Sequence, residues 1–459
     1  MAIATINPAT GCTEQEFSAQ SDAEVERRIS AAHAALRPLR AASYQQRAAW
    51  MHRSADLMES ESEDLARTIV IEMGKTIGQA RAEVAKSVNS MHFYADHAEA
   101  FLADSPLPDP SAVGARRAFT RYEPLGIVLA VMPWNYPIWQ VIRFAAPALM
   151  AGNAGLLKHA PNVPQAALYL DTLFTRGGFP AGAFSSLLIE VPAVQAVVAD
   201  PRVKAVTLTG SCRAGRLVGA AAGHSIKKAV LELGGSDPFI VLPSADLERA
   251  AATAVTARMN NNGQSCIAGK RFIVHEDVYD EFAEKFSSNV AALRVGDPLE
   301  ESTQLGPLAT SVGRDDLACL VKDALDHGAS ARTGGALPEE GKGWFYPPTV
   351  LEGVTPAARL FLEEAFGPVA VLYRAADDDE AIALANGTPF GLSSSVWTED
   401  AAQEERFAAE LEAGAVFVNG MSVSYPELPF GGVKDSGYGR ELSWAGIREF
   451  CNLKSVWVG

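Results

Sequence analysis

Three residues carry most of the chemistry this sequence could perform. Cys266 stands in "NNNGQSCIAGKRFIV", residues 260–274, between a helix-like run and an apolar, strand-like one. A nucleophilic cysteine needs access and help in forming its thiolate. Gly263 and Ser265 keep the turn narrow enough for a substrate to approach. A lone cysteine is more often packing, but Asn, Gln and Ser are poor neighbours for inert packing. Glu232 stands in "VLELGGSDP", inside an apolar run that ends at Gly-Gly. Desolvation there raises a carboxyl toward the range of a useful general base; a buried ion pair accounts for it equally well. Asn135, in "MPWNYP", follows the apolar run "GIVLAV". Its side-chain amide can donate to a developing oxyanion, though a proline-bounded turn is the plain alternative.

A fourth stretch looks built for binding. "VTLTGSCRAG", residues 206–215, runs from an apolar strand into Thr209, Gly210 and Ser211, with Gly215 one helical turn later. Gly210 permits a tight strand-to-helix turn, and the free N–H groups of the new helix attract a phosphate. The stretch is not GxGxxG, and an ordinary β–α connection explains it as well. "EEAFGPV" (363–369) and "LPFGGVKDSGYGRE" (428–441) are turn-rich loops of unusually particular composition.

The elements that must position these residues are legible as pattern. Residues 21–104 read as helices, opened by the N-cap types Ser21 and Asp22 and closed by Pro106, Pro108 and Pro110. Residues 115–125 alternate like a protruding β-arm. Short apolar runs then alternate with helical stretches: "GIVLAVMPW", "AGLLKHAP", "SSLLIEV", "VKAVTLTGS" and "KKAVLELGG". This is the pattern of βαβ units and a mostly parallel sheet. A second series follows residue 234: "DPFIVL", "KRFIVHE", "YPPTVL", "GPVAVLYR", "SSSVWT" and "GAVFVNG". The closing "NLKSVWVG" is strand-like and suited to pairing with the arm or with a neighbouring subunit.

Bulk properties narrow the partners. The 459 residues exceed one core, so two or three domains are expected. A formal net charge of −16 disfavours nucleic acid and anionic membranes, and leaves an anionic substrate in need of a local cation. The five cysteines are scattered, without CxxC spacing, which points to a reducing cytoplasm and to no metal site. The opening "MAIATINPATG" lacks the features of a secretory signal, and no apolar run reaches membrane-spanning length.

Taken together and in order, these stretches resemble the aldehyde dehydrogenase superfamily. The matching pieces are "NPATG", "PWNYP", "AGNAGLLK", "GGFPAG", "TLTGS", "ELGG", "NNGQSC", "KRFIV", "EEAFGPV", "TPFGLSSSVWT", "VNG" and "PFGGVKDSGYGRE", which span residues 7–441. "WNYPIWQVIRFAAPALMAGN" and "LKHAPNVPQ" look most like bacterial succinate-semialdehyde dehydrogenases of the short type. The resemblance implies an α/β fold in three parts. Residues 1–112 and 126–233 would form a Rossmann-type dinucleotide-binding domain, and residues 234–440 a second, catalytic α/β domain. Residues 113–125 and 441–459 would form a small β oligomerisation arm and final strand, giving a homodimer or homotetramer.

It also implies roles. Cys266 matches the nucleophile, Glu232 the general base, and Asn135 the side-chain half of the oxyanion hole. Trp134, Lys158, Gly210, Ser211 and Leu233 match cofactor contacts, and Glu364 and Phe366 match positions that steady the nicotinamide ribose. Arg143, Trp139, Ser265 and Ser424 match substrate-pocket positions, Arg143 being the cation for a distal carboxylate. A helix-surface salt bridge is the alternative for Arg143. The implied reaction is oxidation of an aldehyde, succinate semialdehyde first, through a cysteine thiohemiacetal and thioester. NAD-preferring members often carry a glutamate where this chain has Pro161. That leaves NAD and NADP both open. Ala268 replaces a second cysteine that some relatives use as a redox switch, and Cys212 reads as packing. The rival from a different class is a cofactor-independent thiol esterase, which would generate no reduced nicotinamide.

Overall fold

The computed structural model describes residues 2–337 and 341–459; residues 338–340, within the expected second α/β domain, and Met1 lie outside them. The helical reading of 21–104 resolves into four helices: Asp22–Ala41, Tyr44–Ser60, Ser62–Met73 and Ile77–Phe101. Ser21 caps the first, its hydroxyl accepting the Glu24 N–H at 3.3 Å.

The first series of apolar runs forms five parallel strands, in the spatial order Lys228–Glu232, Val203–Thr209, Ile127–Val131, Ala154–Lys158 and Phe184–Ser186. Helices cover the sheet, which is why these strands read as continuous apolar runs. The sheet shares one apolar core with the four N-terminal helices. The order turns at Ile127–Val131, whose successor lies on one side and whose later neighbour Val203–Thr209 lies on the other. At such a switch point the carboxyl ends of the strands open a crevice. Residues 132–135 and 210–211 leave the sheet at this edge.

Two features depart from the sequence pattern. "SSLLIEV" is strand only at Phe184–Ser186, because Ile189 N–H turns back to the Leu187 carbonyl at 3.0 Å and ends the ladder. Conversely, Gly437–Tyr438 returns to the edge of this sheet and pairs antiparallel with Glu232 and Leu231. Gly437 has φ 111°, and a Cβ there would lie 1.9 Å from the Leu231 carbonyl oxygen, so only glycine fits.

The second series forms a seven-stranded sheet in the order Ser330–Thr333, Thr349–Glu352, Val369–Ala375, Gly269–His275, Asp237–Val241, Ser394–Trp397 and Val416–Val418. All its pairings are parallel except that of Ser330–Thr333. This sheet has cores of its own on its two faces. The arm is a strand, Arg117–Pro124, paired antiparallel with Cys451–Val458 along its whole length and with the short Ser105–Pro106. No helix among the described residues is long and apolar enough to cross a membrane.

Candidate active site

The turn before it sets the position of Cys266. Helix Leu247–Met259 stops, and Asn261, Asn262 and Gly263 take φ of 58°, 54° and 72°. Asparagine tolerates this left-handed region better than most residues that carry a side chain. The two amides then lock the turn. Asn261 Nδ2 donates to the carbonyls of Asn135 and Gln264, both at 2.9 Å. Asn262 Nδ2 donates to those of Gly74 at 2.8 Å and Pro307 at 2.9 Å. Beyond the cysteine, the buried Lys270 ammonium donates to the Ser265 and Cys266 carbonyls at 2.9 and 2.8 Å and pairs with Glu364 at 3.2 Å. With both carbonyls tied back, the Cys266 N–H is left without a protein acceptor among the described residues. Asn135 Nδ2 donates to the Gln264 carbonyl at 3.0 Å, and its second amide hydrogen remains available.

Cys266 opens into two cavities. The first, of about 250 Å³, is lined by Trp134, Asn135, Gly210, Ser211, Leu233, Glu364 and Phe366. Trp134 and Phe366 meet edge to face at 5.7 Å. The structure thus gathers most of the residues matched to cofactor contacts, together with Asn135, at the switch-point crevice. The second cavity, of about 180 Å³, is lined by Trp139, Arg143, Ser265 and Ser424, the four residues matched to substrate. The sequence reading missed Lys86, Tyr136 and Phe430, which also line it. Lys86 lies on the helix Ile77–Phe101 and had no local signal beyond an ordinary helical spacing.

Two expected residues are placed differently. Glu232 is buried and lines neither cavity, although its neighbours Leu233 and Gly234 line the first. Its carboxyl faces Gly431 and, among the described residues, has no hydrogen-bond partner. Burial first, and then the carboxylate of Glu441, push its pKa well above the ordinary range, against the pull of Arg143 and Arg440. In this position burial favours its uncharged form. Arg143 lies on the helix Trp139–Ala151 as expected, but it is buried and its guanidinium is already paired with Glu441. It also contacts Thr209 Oγ1 at 3.3 Å and stacks on Phe430 at 4.6 Å. The helix-surface salt bridge considered for Arg143 is therefore a buried one. The Cys266 thiol is pushed up to about 12 by burial, with Arg143 and Lys270 opposing.

The crevice suits a dinucleotide. Ser211 caps the helix Cys212–His224, accepting the Ala214 N–H at 3.3 Å, so further N–H groups of the first turn face outward. Lys158 ends the strand Ala154–Lys158 and, among the described residues, its ammonium has no carboxylate partner. Burial pushes its pKa down, a desolvation cost that an anionic ligand would offset. Lys158 and Pro161 line neither cavity.

A crevice at the switch point of a parallel sheet, with a thiol opening into two cavities beside it, places the chain among α/β proteins whose sheet edge can receive a nucleotide. The profile of the aldehyde dehydrogenase family matches residues 1–456. The chain is 59% identical over 460 residues to an NADP(+) succinate-semialdehyde dehydrogenase of Mycobacterium ulcerans, covering 100% of each chain. The succinate-semialdehyde dehydrogenase of Burkholderia pseudomallei superposes with a TM-score of 0.96 at 38% identity, covering 100% of this chain and 94% of that one. The succinic semialdehyde dehydrogenase of Streptococcus pyogenes, in complex with NADP+, superposes with a TM-score of 0.95 at 34% identity, covering 99% of each. The chain belongs to the aldehyde dehydrogenase family.

Proposed function

We propose that this protein oxidises succinate semialdehyde to succinate in the cytoplasm, with NADP+ favoured over NAD+. The observation that carries the reading is the position of Cys266 at the meeting of two cavities, one lined by the residues matched to cofactor and the other by those matched to substrate. Full-length identity to NADP(+) succinate-semialdehyde dehydrogenases supports the substrate and cofactor. Lys158, without a carboxylate partner among the described residues, and Pro161, which offers no carboxylate to repel a 2′-phosphate, support NADP+ further.

When bound, the dinucleotide supplies the hydride acceptor. The residues do the rest. Cys266 Sγ bonds to the aldehyde carbon, and its proton leaves to solvent or base. The carbonyl oxygen gains the charge, and the Cys266 N–H and Asn135 amide receive it. Departure of hydride leaves a thioester on Cys266. Glu232 then takes a proton from water, whose oxygen bonds to the acyl carbon as the C–S bond breaks. For that step Glu232 must turn from Gly431 toward the cavity. The turn exchanges burial and Glu441 for water, and both changes lower its pKa. We also propose the division into 1–112 with 126–233, 234–440, and 113–125 with 441–459. The separate cores of the two large sheets support it. Assembly as a homodimer or homotetramer through the arm belongs to the same reading.

The test is reduced-nicotinamide absorbance with succinate semialdehyde and each cofactor, for the wild type and Cys266→Ala. The expected result is turnover faster with NADP+ and reduced by about a thousandfold or more in the variant. Acid formation without nicotinamide reduction, or full turnover by Cys266→Ala, would refute the reading.

A further inference from the structure

Arg258 is among the largest side chains that no solvent reaches, and no carboxylate neutralises it. It lies in the last turn of the helix Leu247–Met259 and is 0% exposed. Among the described residues it forms no ion pair. Glu364, whose charge reaches it, is paired with Lys270. A cation this deep is tolerated only when its donors are used. Four carbonyls use them. Nε donates to Val369 at 2.6 Å, Nη1 to Gly263 at 3.2 Å, and Nη2 to Ala365 at 2.8 Å and to Gly367.

Those carbonyls belong to two segments of the site. Gly263 stands in the turn that sets Cys266. Ala365, Gly367 and Val369 are alternate residues of the segment that brings Glu364 and Phe366 to the first cavity. The two backbones touch, since a Cβ on Gly263 would stand 2.4 Å from the Gly367 carbonyl carbon. Yet among the described residues no backbone hydrogen bond joins them. The guanidinium is what bonds one main chain to the other, and its planar fork fixes angle as well as distance. Lys270 makes a matching link on the far side, from the Cys266 carbonyl to the Glu364 carboxylate.

We infer that Arg258 is a positioning residue for hydride transfer, holding the segment matched to the nicotinamide ribose at a fixed place relative to Cys266. The inference rests on the proposed dinucleotide-dependent reaction. In the transfer step the carbon bonded to Sγ gives a hydride to the bound dinucleotide and becomes the thioester carbonyl, the charge on its oxygen closing the double bond. A misplacement of about 1 Å in such a step can cost about a hundredfold. Attack by the sulfur on a small electrophile needs no nucleotide, so it does not depend on this link.

The experiment compares wild type with Arg258→Lys, which keeps the charge but not the fork, and Arg258→Met, which keeps neither. Three quantities are read: NADP+ affinity by calorimetry, the single-turnover rate of nicotinamide reduction with succinate semialdehyde, and alkylation of Cys266 by iodoacetamide without cofactor. In Arg258→Lys, NADP+ binding should weaken about tenfold and the single-turnover rate fall about tenfold to a hundredfold, with alkylation changed by less than about threefold. Unchanged binding and single-turnover rate overturn the inference. So does a loss of alkylation in the same proportion as turnover, which marks a role in folding alone. A measurement on the wild type needs no variant to fold. Residues 261–264 line neither cavity wall of the nucleotide, so their amides gain protection from NADP+ only through the linked segment. Hydrogen exchange should slow there together with 363–369 when NADP+ binds, and protection confined to 363–369 overturns the inference. A wild type that binds no NADP+ and reduces none overturns the cofactor reading itself.

Discussion

Two protons decide how the site works at the scale of single residues. In the free protein burial pushes the Cys266 thiol up to about 12, and burial and Glu441 shift Glu232 toward its protonated form. Holding each group uncharged avoids the cost of a desolvated, unpaired charge. It has a kinetic consequence. Below its pKa the thiolate fraction grows about tenfold with each pH unit, and the thiolate is the species that attacks an electrophile. Alkylation of Cys266 by iodoacetamide, without cofactor, should therefore accelerate about tenfold per unit from pH 7 to 10. Peptide mass spectrometry separates this site from the exposed thiols of Cys12 and Cys319. A plateau below pH 9 would mean that Lys270 and Arg143 outweigh burial, and that the sulfur is already ionised in the free protein.

At the scale of elements, the reactive loop depends on three consecutive left-handed residues. Gly263 is the one that no side chain can replace. Its φ is 72°, and a Cβ would stand 2.4 Å from the Gly367 carbonyl carbon, a backbone atom of the second sheet's loops. Gly263→Ala should lower the melting temperature by several degrees, about 2 kcal/mol or more, and reduce turnover with it. Gly223→Ala, where an added Cβ meets nothing within 4 Å, serves as the control and should leave both nearly unchanged. Differential scanning fluorimetry and steady-state assays on the two variants separate the outcomes. The same loop marks how far the sequence could be read. Apolar runs revealed the strands, because parallel strands are buried on both faces, and the residues just beyond them revealed the crevice. Asn135 was visible for that reason, and Ser265 and Cys266 because a polar, glycine-containing turn separates a helix-like run from a strand-like one. The return of Gly437–Tyr438 to the first sheet was not, nor was the pairing of Arg143 with Glu441. Each joins segments about 200 to 300 positions apart, and local periodicity holds no record of such a partner. Lys86 was hidden in the same way: on its helix it is one more lysine, and only the cavity between elements distinguishes it.

At the scale of the whole molecule, the strand Cys451–Val458 ends its sheet, with one edge paired to Arg117–Pro124 and the other unpaired among the described residues. Soluble proteins rarely leave a long strand edge open, since its N–H and C=O groups invite another chain. The exposed apolar side chains point the same way. Leu453 is 55% and Trp457 58% exposed, four residues apart and so on one face of the strand. A monomer gains nothing by holding them in water, whereas an interface would bury both. The chain should therefore sediment as a dimer or tetramer at micromolar concentration. The double variant Leu453→Glu, Trp457→Ser should shift it toward the monomer. Trp457 also donates from Nε1 to the Val113 carbonyl at 3.0 Å, so the variant loosens the arm as well as the contact. Leu453→Glu alone, which leaves that bond intact, distinguishes the two effects. If sedimentation velocity finds the single variant as fully assembled as the wild type, subunits meet elsewhere and the arm serves the fold of its own chain.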